Sequence, residues 1–208
     1  MKKKKILFFF VSIIFLIFFI AFTLLARAKI FNRLDFDITV RLQNHLPIKY
    51  DGILSVFSLL GSVEILGLLL LVIIIIRKKI ASIFIFIPFV VAHIIEIFGK
   101  ALFHHPGPPF MFFRYNLNFL FPSSYIQPGS SYPSGHSLRT IFVSIIIFYL
   151  ICNLKVKYSK KFFLIASIIL FDIIMLISRI SLGEHWTTDV AGGAILGASG
   201  GIFSLIFL

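Results

Sequence analysis

Three polar runs, far apart in the chain, carry the residue types that phosphoryl chemistry needs. The first is Lys100 followed by His104, His105, Pro106, Gly107 and Pro108; the second is Pro133, Ser134, Gly135 and His136; the third is Ser178 and Arg179, then His185 and Asp189. Lys100 and Arg179 supply fixed positive charge. The Ser134 hydroxyl and the backbone N–H groups near Gly135, at a helix start, suit a cluster of anionic oxygens, so together these residues read as a phosphate site. His185 and Asp189 are four apart, so on a helical turn they share a face and the carboxylate can hold one imidazole nitrogen. The other nitrogen is left free to attack. His136 comes from a different run and can protonate a leaving oxygen, which divides the nucleophilic and acid roles between two histidines.

The chain around these residues is apolar. Of 208 residues 59% are hydrophobic, 27 are Phe and only 13% are charged, with a mean hydropathy of +1.05. That composition excludes a disordered chain, a disulfide scaffold and almost any water-soluble enzyme, and marks an integral membrane protein. The net charge of +12 does not point to nucleic acid, because the lysines fall in short clusters between apolar runs. They read as orientation signals and contacts to lipid headgroups. Cys152 is the single cysteine, so neither an intrachain disulfide nor a cysteine metal site can form.

Crossing a hydrocarbon core of about 30 Å takes roughly 20 apolar residues in a helix. Six segments qualify, at 6–26, 53–76, 80–98, 136–154, 162–180 and 190–208. Lys2 to Lys5 before Ile6 resemble the start of a signal peptide, and Ala26, Arg27 and Ala28 imitate a cleavage site. The apolar run is longer than a signal core, which predicts a retained first span. With six spans, Lys2 to Lys5, Arg77 to Lys79, and Lys155, Lys157, Lys160 and Lys161 share one side, eleven basic residues against eight on the other. The richer side is expected to be cytoplasmic. The three polar runs then lie together on the extracytoplasmic face, with the plasma (inner) membrane as the expected location.

Between spans one and two, Phe31, Leu34, Ile38 and Leu42 recur at helical spacing, with Arg33, Asp35, Asp37 and Arg41 between them. This pattern predicts an interfacial helix, either a connector that caps the bundle or a participant in lipid access. The 99–135 connection holds six of the eight prolines, and long loops of this kind carry function. Gly193, Gly197 and Gly201 line one face of the last span and permit close helix contact, within the monomer or in a dimer. No repeat is visible, and residues 1–208 read as a single all-α domain, a six-helix bundle with an interfacial helix.

Several ionisable residues lie inside spans, where they are expected to face protein or water. Arg139 is one turn below His136 and either joins the phosphate cradle or pairs with Glu96 or Asp172. His93, Glu96 and Lys100 share a helix face. Glu96 is placed to orient Lys100, and His93 reads as a hydrogen-bonded bundle residue. Asp172, seven before Arg179, is placed to support it from below. Glu64, near Gly61 and Ser62, reads as a polar helix contact.

These residues resemble the type-2 phosphatidic acid phosphatase superfamily of membrane lipid phosphatases. Its second motif, Pro-Ser-Gly-His, is complete at Pro133 to His136, and its third at Ser178, Arg179, His185 and Asp189. The first motif, Lys, six residues, Arg-Pro, is met only by Lys100 and Pro108, with Gly107 where arginine is expected. Six spans with the motifs on one face also match, so the resemblance covers nearly the whole chain. It implies a metal-independent phosphatase, without cofactor, acting on a lipid phosphate or diphosphate through a phosphohistidine. By the same resemblance His185 is the nucleophile, Asp189 orients it and His136 protonates the leaving group, then activates water. Lys100, Ser134, Gly135 and Arg179 would bind the phosphoryl oxygens. Arg139 is the candidate replacement for the arginine absent at Gly107. His104 and His105 are further candidates, although adjacent loop histidines are more often interfacial polar residues.

Two other readings use the same residues. A lipid phosphotransferase would pass the phosphoryl group to another lipid, and a non-catalytic protein would bind lipid phosphate without turnover. The lost arginine favours the last, and the intact His136, His185 and Asp189 oppose it. A vanadate-dependent haloperoxidase shares the anion site, but such proteins are soluble and this chain is too apolar. The expected partners are a lipid phosphate substrate and membrane lipids, with no nucleic acid.

Overall fold

Backbone groups in hydrocarbon have no water to bond, so the apolar runs satisfy themselves as helices. The computed structural model describes residues 2–121 and 130–208. In chain order its α-helices are α1 (Lys2–Arg27), α2 (Asn32–His45), α3 (Asp51–Leu60), α4 (Val63–Arg77), α5 (Phe86–Leu102), α6 (Gly135–Cys152), α7 (Tyr158–Ser181) and α8 (Thr187–Ser204). Five helices are long and apolar enough to cross a membrane, with α5 extended back to Ile80 and α8 forward to Phe207. The pair α3 and α4, bent by 49° at a short break, passes the same test when taken as one span, which brings the number to six. The outward faces are strongly apolar: Ile14, Ile76 and Phe163 are 63%, 71% and 71% exposed. Such a belt belongs against lipid tails.

The core is the pair α6 and α8, whose contact depends on glycine. A Cβ on Gly193 would strike the Ser134 carbonyl oxygen, one on Gly197 the Leu138 carbonyl oxygen, and one on Gly201 would lie 2.9 Å from that of Phe142. The small-residue stripe is therefore spent inside the monomer. Gly197→Ala is expected to cost about 1–3 kcal/mol, because backbone has to move to admit the methyl group. Gly67→Ala, with nothing within 4 Å of the new Cβ, is expected to be neutral or slightly stabilising. Melting temperatures of the two variants in detergent test the contrast.

The lysine-rich end closes on itself through Arg77 Nη2 and Lys79 Nζ, 3.5 and 3.4 Å from the Leu208 carbonyl oxygen. At the opposite end α2 lies across the helix ends. Its buried residues are Asp35 and Thr39, while Leu34 stays 50% exposed. Asp35 accepts from both the N–H and the hydroxyl of Thr188, at 2.8 and 2.9 Å. It thus supplies acceptors to the first turn of α8, and the apolar side of α2 is left for lipid. Gln43 bonds the carbonyls of Phe112 and Ser181 at 2.7 and 2.9 Å, and Arg114 forks onto Asp51 at 2.9 Å through both Nε and Nη2. These polar ties hold the 103–121 strap over the bundle. Residues 122–129 of the long connection lie outside the described residues.

The second span differs from the continuous helix expected over 53–76. It breaks at Gly61 and Ser62, where Ser62 caps α4 by accepting from the Ile65 N–H at 3.4 Å. A break frees backbone carbonyls inside the membrane, and each needs a donor.

Candidate active site

One such donor is Arg139. Its Nε lies 3.2 Å from the Gly61 carbonyl oxygen, so the break in the second span and the arginine in α6 satisfy each other. The same guanidinium stands 3.7 Å from Glu96 Oε2, 3.4 Å from His93 Nε2 and 3.3 Å from His136 Nδ1. Both readings of Arg139 meet here: it pairs with Glu96 and it adjoins the catalytic candidate His136. Asp172 is elsewhere, accepting from Ser144 Oγ at 2.6 Å. It does not support Arg179.

Lys100 donates to Glu96 Oε1 at 2.8 Å, four residues back on α5, as their shared face predicts. His93 is a bundle residue, its Nδ1 2.8 Å from the Phe89 carbonyl oxygen. Glu96 is thus a buried acceptor shared by two cations from different helices. Gly135 is what lets it reach the α6 start, since a Cβ there would collide with Glu96 Oε1 and come within 2.8 Å of Arg139 Nη1. Just before it, Ser134 is wholly buried, and its Oγ has no hydrogen-bond partner among the described residues. Its N–H donates to the Asp189 carbonyl oxygen at 3.0 Å, which locks the starts of α6 and α8 together.

Asp189 is the third residue of α8 and is completely buried. Its Oδ2 accepts from the Trp186 N–H at 2.9 Å and lies 3.4 Å from His185 Nδ1. An acid at this position caps the helix and complements its dipole while holding the imidazole, leaving Nε2 of His185 unengaged by it. Burial, with the positive charges of Arg179 and Lys100 nearby, holds His185 below the ordinary imidazole value against the pull of Asp189. The ring is therefore neutral at pH 7, the form in which a nitrogen can attack.

Arg179 completes the group at the end of α7. Its Nη1 contacts Ser58 Oγ and lies 2.5 Å from Glu184 Oε2, and Ser58 donates to the same carboxylate oxygen at 2.9 Å. Its Nε is buried without a partner among the described residues. Together with Lys100 and Arg139 it makes three cations whose fields act on His136. Two carboxylates, Glu96 and Glu184, hold those cations in a dry environment. The arrangement can accept a tetrahedral oxyanion between two histidines, one held by a carboxylate and one beside a guanidinium.

A family model described as the PAP2 superfamily matches residues 67–208. The chain belongs to the PAP2 superfamily. Phosphatidylglycerophosphatase B of Bacillus subtilis (strain 168) is 40% identical over 74 residues, 34% of this chain and 36% of that protein. The chain thus matches about a third of that relative's length. Among solved structures, a transmembrane PAP2-type phosphatidylglycerolphosphate phosphatase from Bacillus subtilis aligns with a TM-score of 0.73 at 20% identity, over 94% of this chain and 93% of that one. Aquifex aeolicus LpxE aligns with a TM-score of 0.61 at 25% identity, over 83% of this chain and 94% of that one.

In this PAP2 chain Lys100, Ser134, Gly135, His136, Arg179, His185 and Asp189 all come to one end of the bundle, and Arg139 joins them. Gly107 does not: it lines a cavity of about 700 Å³ between the ends of α1 and α2 and the strap after α5. Three neighbours were not legible as site residues. Glu184 stands inside the third motif, next to His185, and its charge was the available signal. Ser58 and Gly61 lay hidden in an apolar span, marked only by the polar spacing Ser55, Ser58 and Ser62. His105, a further candidate for the missing arginine's place and otherwise read as an interfacial residue, lies 3.0 Å from Asp189 Oδ1.

Proposed function

We propose that the protein is a lipid phosphatase that removes a terminal phosphate from a membrane lipid phosphate or diphosphate through a phosphohistidine. The observation that carries this reading is the Asp189–His185 pair at the same end of the bundle as His136, whose ring feels His185 and the three cations Arg179, Arg139 and Lys100. The scissile phosphoryl group sits among Arg179, Arg139, Lys100, the Ser134 hydroxyl and the N–H groups at the start of α6. Nε2 of His185 attacks phosphorus while Asp189 holds Nδ1–H. The P–O bond to the lipid breaks, and His136 gives its proton to the leaving oxygen. Water, giving a proton back to His136, then attacks phosphorus, the P–N bond breaks and inorganic phosphate leaves. Each donor aimed at the developing charge is worth about 2.7–4 kcal/mol of barrier.

Arg139 takes the part of the arginine missing at Gly107. It arrives from α6 instead of the loop after α5, and reaches His136 from below. The eleven-to-eight distribution of basic residues supports an active site on the extracytoplasmic face of a plasma (inner) membrane, with the lipid arriving from the outer leaflet. The single-domain reading of residues 1–208 is supported by α1, whose Ser12 carbonyl oxygen accepts from Ser199 Oγ of α8 at 2.9 Å.

The test is inorganic phosphate release by purified protein in detergent, across lipid monophosphates and diphosphates, with chelator present. Metal-independent release from at least one lipid is expected, and the ranking of lipids identifies the substrate. Release that depends on an added lipid acceptor would instead identify a phosphotransferase. Binding without turnover would overturn the enzymatic reading.

A further inference from the structure

We propose that His105 is a positioning residue of this site, holding the second oxygen of the Asp189 carboxylate so that the first is fixed on His185. The proposal rests on the phosphatase reading above. The two histidines take opposite oxygens of one carboxylate: His185 Nδ1 is 3.4 Å from Oδ2, and His105 Nδ1 is 3.0 Å from Oδ1. Asp189 is wholly buried and its Oδ1 accepts no hydrogen bond among the described residues; the His105 ring nitrogen, 3.0 Å away, is the ion-pair contact against it. A buried carboxylate oxygen without a partner is costly, and the imidazole from the strap offsets that cost by its charge.

The backbone around His105 is built to aim it. Its N–H reaches Ser130 Oγ at 3.2 Å. Its carbonyl oxygen accepts from the Ser131 N–H at 2.9 Å and from the Ser131 and Ser130 hydroxyls at 3.0 and 3.2 Å. One residue on, the Pro106 carbonyl oxygen accepts from the Trp186 indole at 2.9 Å, which ties the strap to the residue beside His185. The ring meets Tyr132 edge to face at 5.9 Å. An interfacial histidine would be exposed, as the adjacent His104 is, yet the His105 side chain is only 13% exposed.

Its charge matters as well as its geometry. Asp189 from α8 and Asp35 from α2 face the ring, and Arg27, Lys29 and His104 line the same 700 Å³ cavity, with Tyr132 on the fourth side. Burial opposes protonation, but the two carboxylates outweigh it and raise the His105 pKa above the ordinary 6.5. When protonated, His105 balances part of the Asp189 charge and so lessens that carboxylate's pull on the His185 proton. Without His105 the full carboxylate charge falls on His185 and raises its proton affinity. The acid limb of turnover, which requires neutral His185, then moves to higher pH.

The experiment is steady-state hydrolysis, by wild type, His105→Ala and His105→Gln, of a lipid phosphate that the wild type cleaves, across pH on both sides of neutrality. For His105→Ala, kcat is expected to fall about 10- to 100-fold with KM within about 2-fold, and the acid limb to move to higher pH. His105→Gln keeps a donor but no charge, so it is expected to recover most of kcat while retaining the shifted limb. It also serves if the alanine variant does not fold. The proposal is overturned by wild-type kcat and pH profile in both variants, by a rise in KM alone, or by a glutamine variant as slow as the alanine. A wild type that releases no phosphate from any lipid sinks the phosphatase reading itself, a distinct result.

Discussion

Replacing His185 with alanine is expected to lower lipid phosphate hydrolysis by a factor on the order of 10⁴ or more, leaving the bundle folded. The attacking nitrogen of the proposed mechanism disappears. The ring is only 8% exposed but lies in the connection between α7 and α8, so its loss does not separate helices. His136→Ala is expected to behave differently. It is expected to slow lipid turnover about 10²- to 10⁴-fold. With an activated aryl phosphate, whose leaving group needs no acid, its first step should proceed while the second lacks a base. A phosphoenzyme labile to acid and stable to alkali is then expected to accumulate in His136→Ala and be absent from the double variant with His185→Ala. Trapping with labelled substrate decides it. Wild-type turnover by His185→Ala would eliminate the phosphohistidine.

Arg179→Leu is expected to produce the other large effect, in two separable parts. Arg179 and Glu184 are paired at 2.5 Å with side chains 5% and 15% exposed. Breaking a buried pair by removing one partner leaves an uncompensated charge and costs about 3–5 kcal/mol. On the proposed function the same substitution also removes a phosphate ligand, and it is expected to lower kcat/KM about 10²- to 10³-fold. The double variant Arg179→Leu, Glu184→Gln removes both charges. Its melting temperature in detergent is expected to return most of the way to wild type, while hydrolysis stays low. Recovery of activity along with stability would mean that Arg179 is structural and does not bind phosphate.

The pairing of Arg179 with Glu184 and of Lys100 with Glu96 follows from burial. Three cations gathered at the end of an apolar bundle repel one another and lose their water, so carboxylates must accompany them. On the proposed function, a phosphoryl group that enters this site shares its cations with acids already present. The Ser134 hydroxyl and Arg179 Nε, both buried without partners among the described residues, are the donors that need no displacement.

The sequence alone determined the membrane class, the helical spans, the glycine face of α8 and which polar residues meet at one end of the bundle. Each depends on local chemistry: runs of about 20 apolar residues have one stable form in lipid, and His185 with Asp189 needs only one helical turn. The polarity of α2 was legible, but not that its acid would serve α8. The tertiary structure decided the rest. Periodicity could not show that the second span breaks at Gly61, because the run stays apolar through the break. The carbonyl freed there is what Arg139 binds, and that contact joins residues 78 positions apart. His105 looked like any loop histidine until the strap folded back and brought it to Asp189. What a buried charge pairs with is set by which helices meet, because desolvation makes every such group take the nearest partner the packing offers.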